Sequence, residues 1–336
     1  MAQRANFVRL VDSGVVSVAS RTLRSAIFGF ANDYGTDPRS PELQAPWLSV
    51  SCVVPYYETG ALAIECVRRL SRALSHYESL APEAPPTQIV VVDDGSTREP
   101  FVDEGITGVA VIRSPVNEGR AAARNTGLLA SADFDVAVFV DSDVLVQEDQ
   151  IERICELWDA GDHVGRARPI VVANLFTTLR VDPFAIDLDR VLASASVQGD
   201  WRWGCRYQPT WIGCPGDWEY VGRSFNLMTD TNFLRGWAGM VGPWALPNMV
   251  LGGCFAVPAA AAIALGGFDG SFSAYGFTET SLVARLVASG VSVAPQVKSA
   301  AVHVEHHPAH HQQEQRDALL RVAHRKFFTE FLAHEI

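Results

Sequence analysis

From about residue 48 the chain alternates between two hydrophobic rhythms. Residues 48–54 form an apolar-rich run, and Leu62, Ile64, Val67, Leu70 and Leu74 then recur at helical spacing. Ile89-Val90-Val91-Val92 is a second run, 109–112 a shorter third, and the alanine-rich stretch 119–132 favours a helix. A further unbroken run occupies 136–140. Such runs mark strands buried on both faces, and strands that alternate with helices lie parallel in one doubly wound sheet.

The rhythm changes in the second half. Residues 170–176 read as a strand, 184–247 show no period, and 249–257 resume a strand. Pro258 then stands at the favoured first position of a helix that Gly266-Gly267 ends. Residues 281–288 read as a helix and 291–304 as one or two strands. A terminal helix over about 311–333 carries Leu319, Leu320, Val322, Phe327, Phe328, Phe331 and Leu332. Upstream, Arg4, Arg9, Arg21 and Arg24 are interleaved with Leu10, Val15, Val18, Leu23, Ile27 and Phe28, and the polar stretch 37–41 follows. That pattern fits an amphipathic helix packed on the domain and leaves peripheral membrane contact open. The expected organisation is an extension and linker over 1–46, one domain over 47–310 that divides near 145/146, and a C-terminal helix over 311–336.

Composition narrows the class. With 336 residues and 48% hydrophobic content the chain can bury a large core, and a net charge of −11 removes any general attraction to nucleic acid. No apolar run reaches the ~20 residues that span a bilayer. The six cysteines (Cys52, Cys66, Cys155, Cys205, Cys214 and Cys254) show no Cys-x-x-Cys spacing and mostly lie in apolar stretches. They read as reduced thiols in a cytoplasmic protein, although Cys205 and Cys214 are placed to pair.

The run 136–140 leads straight into Asp141-Ser142-Asp143. Two carboxylates at a strand exit can share a hard divalent cation and leave positions for phosphate oxygens; alone, such a triplet is more often a solvated acidic turn. Asp94 ends the second run, where it can accept a base N–H or close an Asx turn with Gly95. Asn117-Glu118-Gly119 opens a helix whose free N–H groups suit a phosphate, and Arg120 and Arg124 follow four apart on one face.

Four blocks stand in order: Val53-Val54-Pro55-Tyr56-Tyr57-Glu58, Val91-Val92-Asp93-Asp94-Gly95-Ser96, Asn117-Glu118-Gly119-Arg120 with Ala123-Arg124-Asn125-Thr126-Gly127, and Asp141-Ser142-Asp143. Together they resemble the inverting glycosyltransferases of family 2, over about 48–306. The resemblance implies a GT-A fold: an α/β, Rossmann-like, mostly parallel sheet flanked by helices, with a nucleotide-binding half over 47–145 and a mixed acceptor-side half over 146–310. It implies a nucleotide-sugar donor held by Pro55, Tyr57, Glu58, Asp94, Asn117, Gly119, Arg120, Arg124, Asp141 and Ser142. Asp143 would be the direct ligand of Mn2+ or Mg2+ with Asp141 assisting, and His303, then His306, would add a metal or diphosphate ligand. The histidines at 303, 306, 307, 310 and 311 also admit a zinc reading, which no nearby cysteine supports.

Leu251-Gly252-Gly253-Cys254, Gly266-Gly267-Phe268-Asp269 and Tyr275-Gly276-Phe277-Thr278-Glu279 resemble the family's donor-sugar and acceptor segment. Gly252 and Gly253 admit close backbone approach, and Asp269 is a second acid or a turn closer. By resemblance Glu279 is the general base. Thr278 stands where the family has another acid, and it also suits a helix N-cap. Six of the eight tryptophans fall within 201–244, among them Trp237 and Trp244, and suit an acceptor loop.

The function expected is metal-dependent, inverting transfer of a sugar, from a UDP sugar in the first instance, to a hydroxyl or similar group of a small molecule, glycan or peptide. The alternatives are a non-catalytic nucleotide-sugar or glycan-binding protein and a nucleotidyltransferase. The latter wants a Gly-rich basic loop after the first strand, which Pro55-Tyr56-Tyr57-Glu58 does not offer.

Overall fold

The computed structural model describes residues 22–23, 26–27, 47–158, 169–200, 202, 243–272, 275–305 and 310–335. Its first half realises the alternation read from the sequence. β1 (Val50–Tyr56) is followed by α1 (Ala61–Leu80), β2 (Thr87–Asp93), β3 (Val109–Arg113), α2 (Arg120–Ala130) and β4 (Val136–Val140). β1 lies between β2 and β4 and is parallel to both, with Val54 level with Val91 and Val53 level with Phe139. α1 buries Leu62, Val67, Leu70 and Leu74 as its spacing requires, and the Tyr77 hydroxyl accepts the Leu48 N–H at 2.8 Å.

The second half adds β5 (Val144–Leu145), α3 (Gln150–Cys155), β6 (Ile170–Leu179), α4 (Leu188–Ala193), β7 (Cys254–Pro258), α5 (Ala259–Ala264), α6 (Thr278–Ala288), β8 (Ser292–Val304) and α7 (His310–Thr329). All eight strands form one sheet in the order β3-β2-β1-β4-β7-β6-β8-β5. Four of its seven pairings are parallel; β7 runs against β4 and β6, and β5 against β8. One sheet therefore serves both halves. Its two faces carry separate cores. Val53, Phe139 and Phe255 face α2, α6 and α7, whereas Cys52, Val54 and Val138 face α1 and α3.

Several expectations shift. The strand expected over 249–257 starts only at Cys254, because Pro243–Met249 winds into a 3₁₀ helix and Gly252-Gly253 turns the chain. β8 is a single strand with an irregularity opposite Asn174 and Phe176, and α6 begins at Thr278 rather than at 281. The stretch expected to be irregular holds the six-residue α4, too short for a period to be read. Of the extension, Leu23 and Ile27 are buried in the same core as Phe327, Phe331 and Leu332, as an amphipathic segment packed on the domain requires. No helix among the described residues is long and apolar enough to cross a membrane.

Candidate functional site

The carboxyl ends of β1, β2 and β4 meet in a pocket of about 460 Å³. Nine residues anticipated from the sequence line it: Pro55, Tyr57, Asp94, Asn117, Gly119, Arg120, Asp141, Ser142 and Asp143. Clefts at strand ends of this kind are where open α/β sheets bind ligands. The opposite wall comes from Tyr275, Gly276 and Thr278, with Arg316 of α7.

The β2 end is built from two adjacent aspartates with separate tasks. Asp93 is fully buried; its carboxylate accepts the Ser96 and Phe101 N–H groups at 2.9 and 3.0 Å and pairs with Arg113. Asp94 faces the pocket, yet its oxygens accept the N–H groups of Glu118 and Gly119 at 2.9 and 2.8 Å. Two N–H groups expected to meet a phosphate are thus already bonded, and the free ones begin at Arg120. Gly95 adopts φ +73°, and a Cβ there would lie 2.3 Å from the Val116 carbonyl carbon, so the turn requires glycine.

Glu58 has a different place from the one expected. It sits at φ +53°, outside the pocket lining, and its carboxylate accepts the N–H groups of Thr97, Arg98 and Glu99 at 2.7 to 3.0 Å. Those N–H groups hold its carboxyl below the usual carboxylate range. Glu58 therefore secures the 97–99 turn, while the half-exposed ring of Tyr57 is left on the pocket rim.

Beneath the pocket lies Arg124, completely buried. Its guanidinium donates to Asp141 Oδ1 and the Gly252 carbonyl, each at 2.8 Å, and to Glu279 Oε2 at 3.3 Å. The rings of Phe255 and Phe268 lie 5.8 and 5.7 Å from it. A Cβ at Gly252 would come within 2.6 Å of this guanidinium, which accounts for the glycine. Arg120, one turn earlier, is the arginine that lines the pocket. Burial pushes the Asp141 carboxyl up, but the charges of Arg124 and Arg120 outweigh it and hold Asp141 below its ordinary value.

Asp143 is set by the two-residue β5. Val144 pairs with His303 of β8, and the Val304 N–H donates to the Asp143 carbonyl at 2.9 Å. This register brings His303 Nε2 to 3.6 Å from Asp143 Oδ2. The contact with Asp143 raises the His303 pKa, against the opposing effect of burial. Ser142, between the aspartates, shares a 2.8 Å hydrogen bond with the Thr59 hydroxyl.

Glu279 stands in the first turn of α6, mostly buried and outside the pocket lining. Thr278 is not the N-cap. That position belongs to Phe277 in the left-handed region at φ 63°, and the Thr278 hydroxyl donates to the Phe272 carbonyl at 3.3 Å. Asp269 closes its own turn, accepting the Ser271 N–H at 2.8 Å. Gly253 lies against Phe176, and its carbonyl accepts the Asp141 N–H at 2.8 Å. His306 and Trp237 lie outside the described residues, as does the side chain of Trp244. Arg316 carries no signal in the sequence, where the terminal helix is marked by its apolar positions alone. Its guanidinium sits 6.0 Å from the Tyr275 ring.

Residues 51–195 match the family model for Glycosyl transferase family 2. The match takes in β1 to β6 and the turn that carries Asp141 and Asp143. Glycosyltransferase GlyG of Streptococcus pneumoniae serotype 4 (strain ATCC BAA-334 / TIGR4) is 32% identical over 111 residues, which are 31% of this chain and 33% of that protein. The match thus spans about a third of that relative's length. Among solved structures, mannosyltransferase PcManGT from Pyrobaculum calidifontis, in complex with GDP-Man and Mn2+, superposes with a TM-score of 0.50 at 15% identity, covering 96% of this chain and 74% of that one. S. aureus TarS 1–349 in complex with UDP-GlcNAc gives a TM-score of 0.45 at 16% identity, over 82% of this chain and 65% of that one. The fold is of the GT-A type, an α/β sheet flanked by helices.

The chemistry of the donor set at the pocket suits a hard cation. Asp143 Oδ1 is buried and has no hydrogen-bond partner among the described residues, which leaves it free to take a ligand. Among the described residues no three acidic, imidazole or thiol groups gather closely enough to hold an ion by themselves. An ion at Asp143 therefore needs further oxygens, of the kind a diphosphate supplies.

Proposed function

We propose that the chain is a metal-dependent, inverting glycosyltransferase that takes its sugar from a nucleotide sugar, a UDP sugar in the first instance, and passes it to a hydroxyl or similar group of a small molecule, glycan or peptide. The observation that carries this reading is the convergence of four separate sequence blocks on one pocket, lined among others by Asp143, whose buried Oδ1 has no hydrogen-bond partner among the described residues. Pro55, Tyr57 and Asp94 flank the nucleoside, and Asn117, Gly119 and Arg120 face the diphosphate. Arg316 adds a second positive charge at the mouth. Asp143, with His303 beside it, holds Mn2+ or Mg2+, which when bound neutralises charge on the departing diphosphate. Asp141, kept ionised by Arg124 and Arg120, supports that end of the pocket.

Glu279 takes the proton from the acceptor hydroxyl. Its Oε2 is oriented by Arg124, while Oε1 is bonded to no described residue. The wall that carries Tyr275 to Thr278 also excludes water from the sugar. A cytoplasmic setting belongs to the same proposal and agrees with the four described cysteines, all buried and free.

The test is nucleoside diphosphate release from a panel of UDP and GDP sugars with Mn2+, for the natural chain and Glu279→Gln. A general base predicts donor binding kept and turnover lowered by ~10²–10⁴-fold. Unchanged turnover removes Glu279 from the mechanism. Donor binding without turnover by the natural chain would instead favour the binding-protein reading, which Thr278 in place of an acid makes reasonable.

A further inference from the structure

A second hollow, of about 580 Å³, adjoins the donor pocket, and Thr59 lines both. Its walls come from Leu62 at the start of α1, from the loop that leaves β6, and from Val304 and Glu305 after β8. The loop is firmly placed. Glu305 N–H donates to the Leu179 carbonyl at 2.8 Å, Arg180 pairs with the Glu305 carboxylate at 2.8 Å, and Asp182 accepts the Phe184 N–H at 2.9 Å. On this fixed frame two large apolar side chains are left in solvent, Val181 at 54% and Phe184 at 60% exposure.

The hollow borders the aspartate end of the donor pocket. Val304 follows His303 directly and donates its N–H to the Asp143 carbonyl, while the Thr59 hydroxyl is bonded to Ser142. A ligand here lies beside the turn that carries both aspartates. Among the described residues the charged side chains on the wall are Glu99, Asp182 and Glu305 against Arg180, an acidic excess that disfavours anions. An exposed aromatic ring flanked by carboxylates matches a polyol that has one apolar face and a rim of hydroxyl donors.

We propose that this hollow is the acceptor subsite and that its occupant is an uncharged saccharide, one ring face on Phe184 and its hydroxyls donating to Asp182 and Glu305. The proposal rests on the glycosyltransferase reading above and adds to it the place and the charge class of the acceptor.

The experiment uses the full chain with UDP or GDP, Mn2+ and three probe sets: neutral disaccharides (lactose, cellobiose and N,N′-diacetylchitobiose), sugar 6-phosphates, and phenol. Binding is read by saturation-transfer NMR, and nucleotide affinity by calorimetry in the same samples. The natural chain is expected to bind at least one neutral disaccharide and no sugar phosphate. Phe184→Ala, an exposed position, should weaken that binding by about threefold to tenfold, the loss of one ring contact, and leave nucleotide affinity unchanged. Phe184→Tyr should restore it. No saccharide binding, preference for the phosphates or for phenol, or indifference to Phe184→Ala overturns the proposal. Loss of all nucleotide binding in the natural chain overturns the glycosyltransferase reading instead, so the two failures are separable.

Discussion

Replacing Arg124 by Met tests how the centre of the site is held together. Met keeps the unbranched apolar stem and removes the guanidinium, so the charge and its hydrogen bonds are lost while most of the stem packing stays. Two largely buried carboxylates, Asp141 and Glu279, and the Gly252 carbonyl lose their shared donor. Removing one member of a buried ion pair leaves an uncompensated charge and costs about 3–5 kcal/mol. Urea unfolding should therefore show a much lower midpoint at an unchanged slope. The loss must also depend on pH. Asp141 is held below its ordinary value in the folded chain, so its pairing contributes stability above the unfolded aspartate pKa of about 3.9. That contribution disappears as the pH falls through the folded value. The gap between the natural chain and Arg124→Met is thus full at neutral pH and narrows toward pH 3. A gap under 1 kcal/mol at neutral pH, or one that does not narrow with acid, would refute the reasoning.

Other substitutions test neighbouring parts of the account. Gly127→Ala puts a Cβ 2.1 Å from Val53 Cγ1, where α2 packs on β1, and should cost about 1–3 kcal/mol in urea unfolding. Arg202, completely buried, pairs with Asp200, donates to the Asn174 and Met249 carbonyls and lies over the Phe176 ring. Arg202→Met should cost about 3–5 kcal/mol by the same unfolding assay, and a cost near zero would show that the pair is dispensable. Arg316→Ala should leave the melting temperature unchanged and weaken nucleoside diphosphate binding about tenfold in calorimetry, the loss of one charge-assisted hydrogen bond.

The parallel half of the fold was legible because β1, β2 and β4 are buried on both faces and so read as apolar runs, while the edge strand β3 shows only as a short one. Pro55, Asp94 and Asp141 were legible for the same reason: each stands where a run stops. What escaped reading depends on partners distant in sequence. Val144-Leu145 is too short to announce itself, yet its register against β8 alone decides that His303 meets Asp143. Arg120 and Arg124 share a helix face, and only the packing of α2 decides that one lines the pocket while the other is sealed beneath it. Glu58 reads as a ligand for a nucleotide because a sequence shows a carboxylate without the three N–H groups that claim it. Thr278 suits an N-cap by residue type, but the left-handed turn at Phe277 displaces it by one position.

The most direct test of the central claim is a calorimetric titration of UDP and GDP into the full chain, with Mn2+ and after chelation, for the natural sequence and Asp143→Asn. The account predicts binding of a nucleoside diphosphate that requires the cation and is lost in Asp143→Asn, while the fold survives. Binding indifferent to both Mn2+ and Asp143, or no binding of either nucleotide, would contradict it.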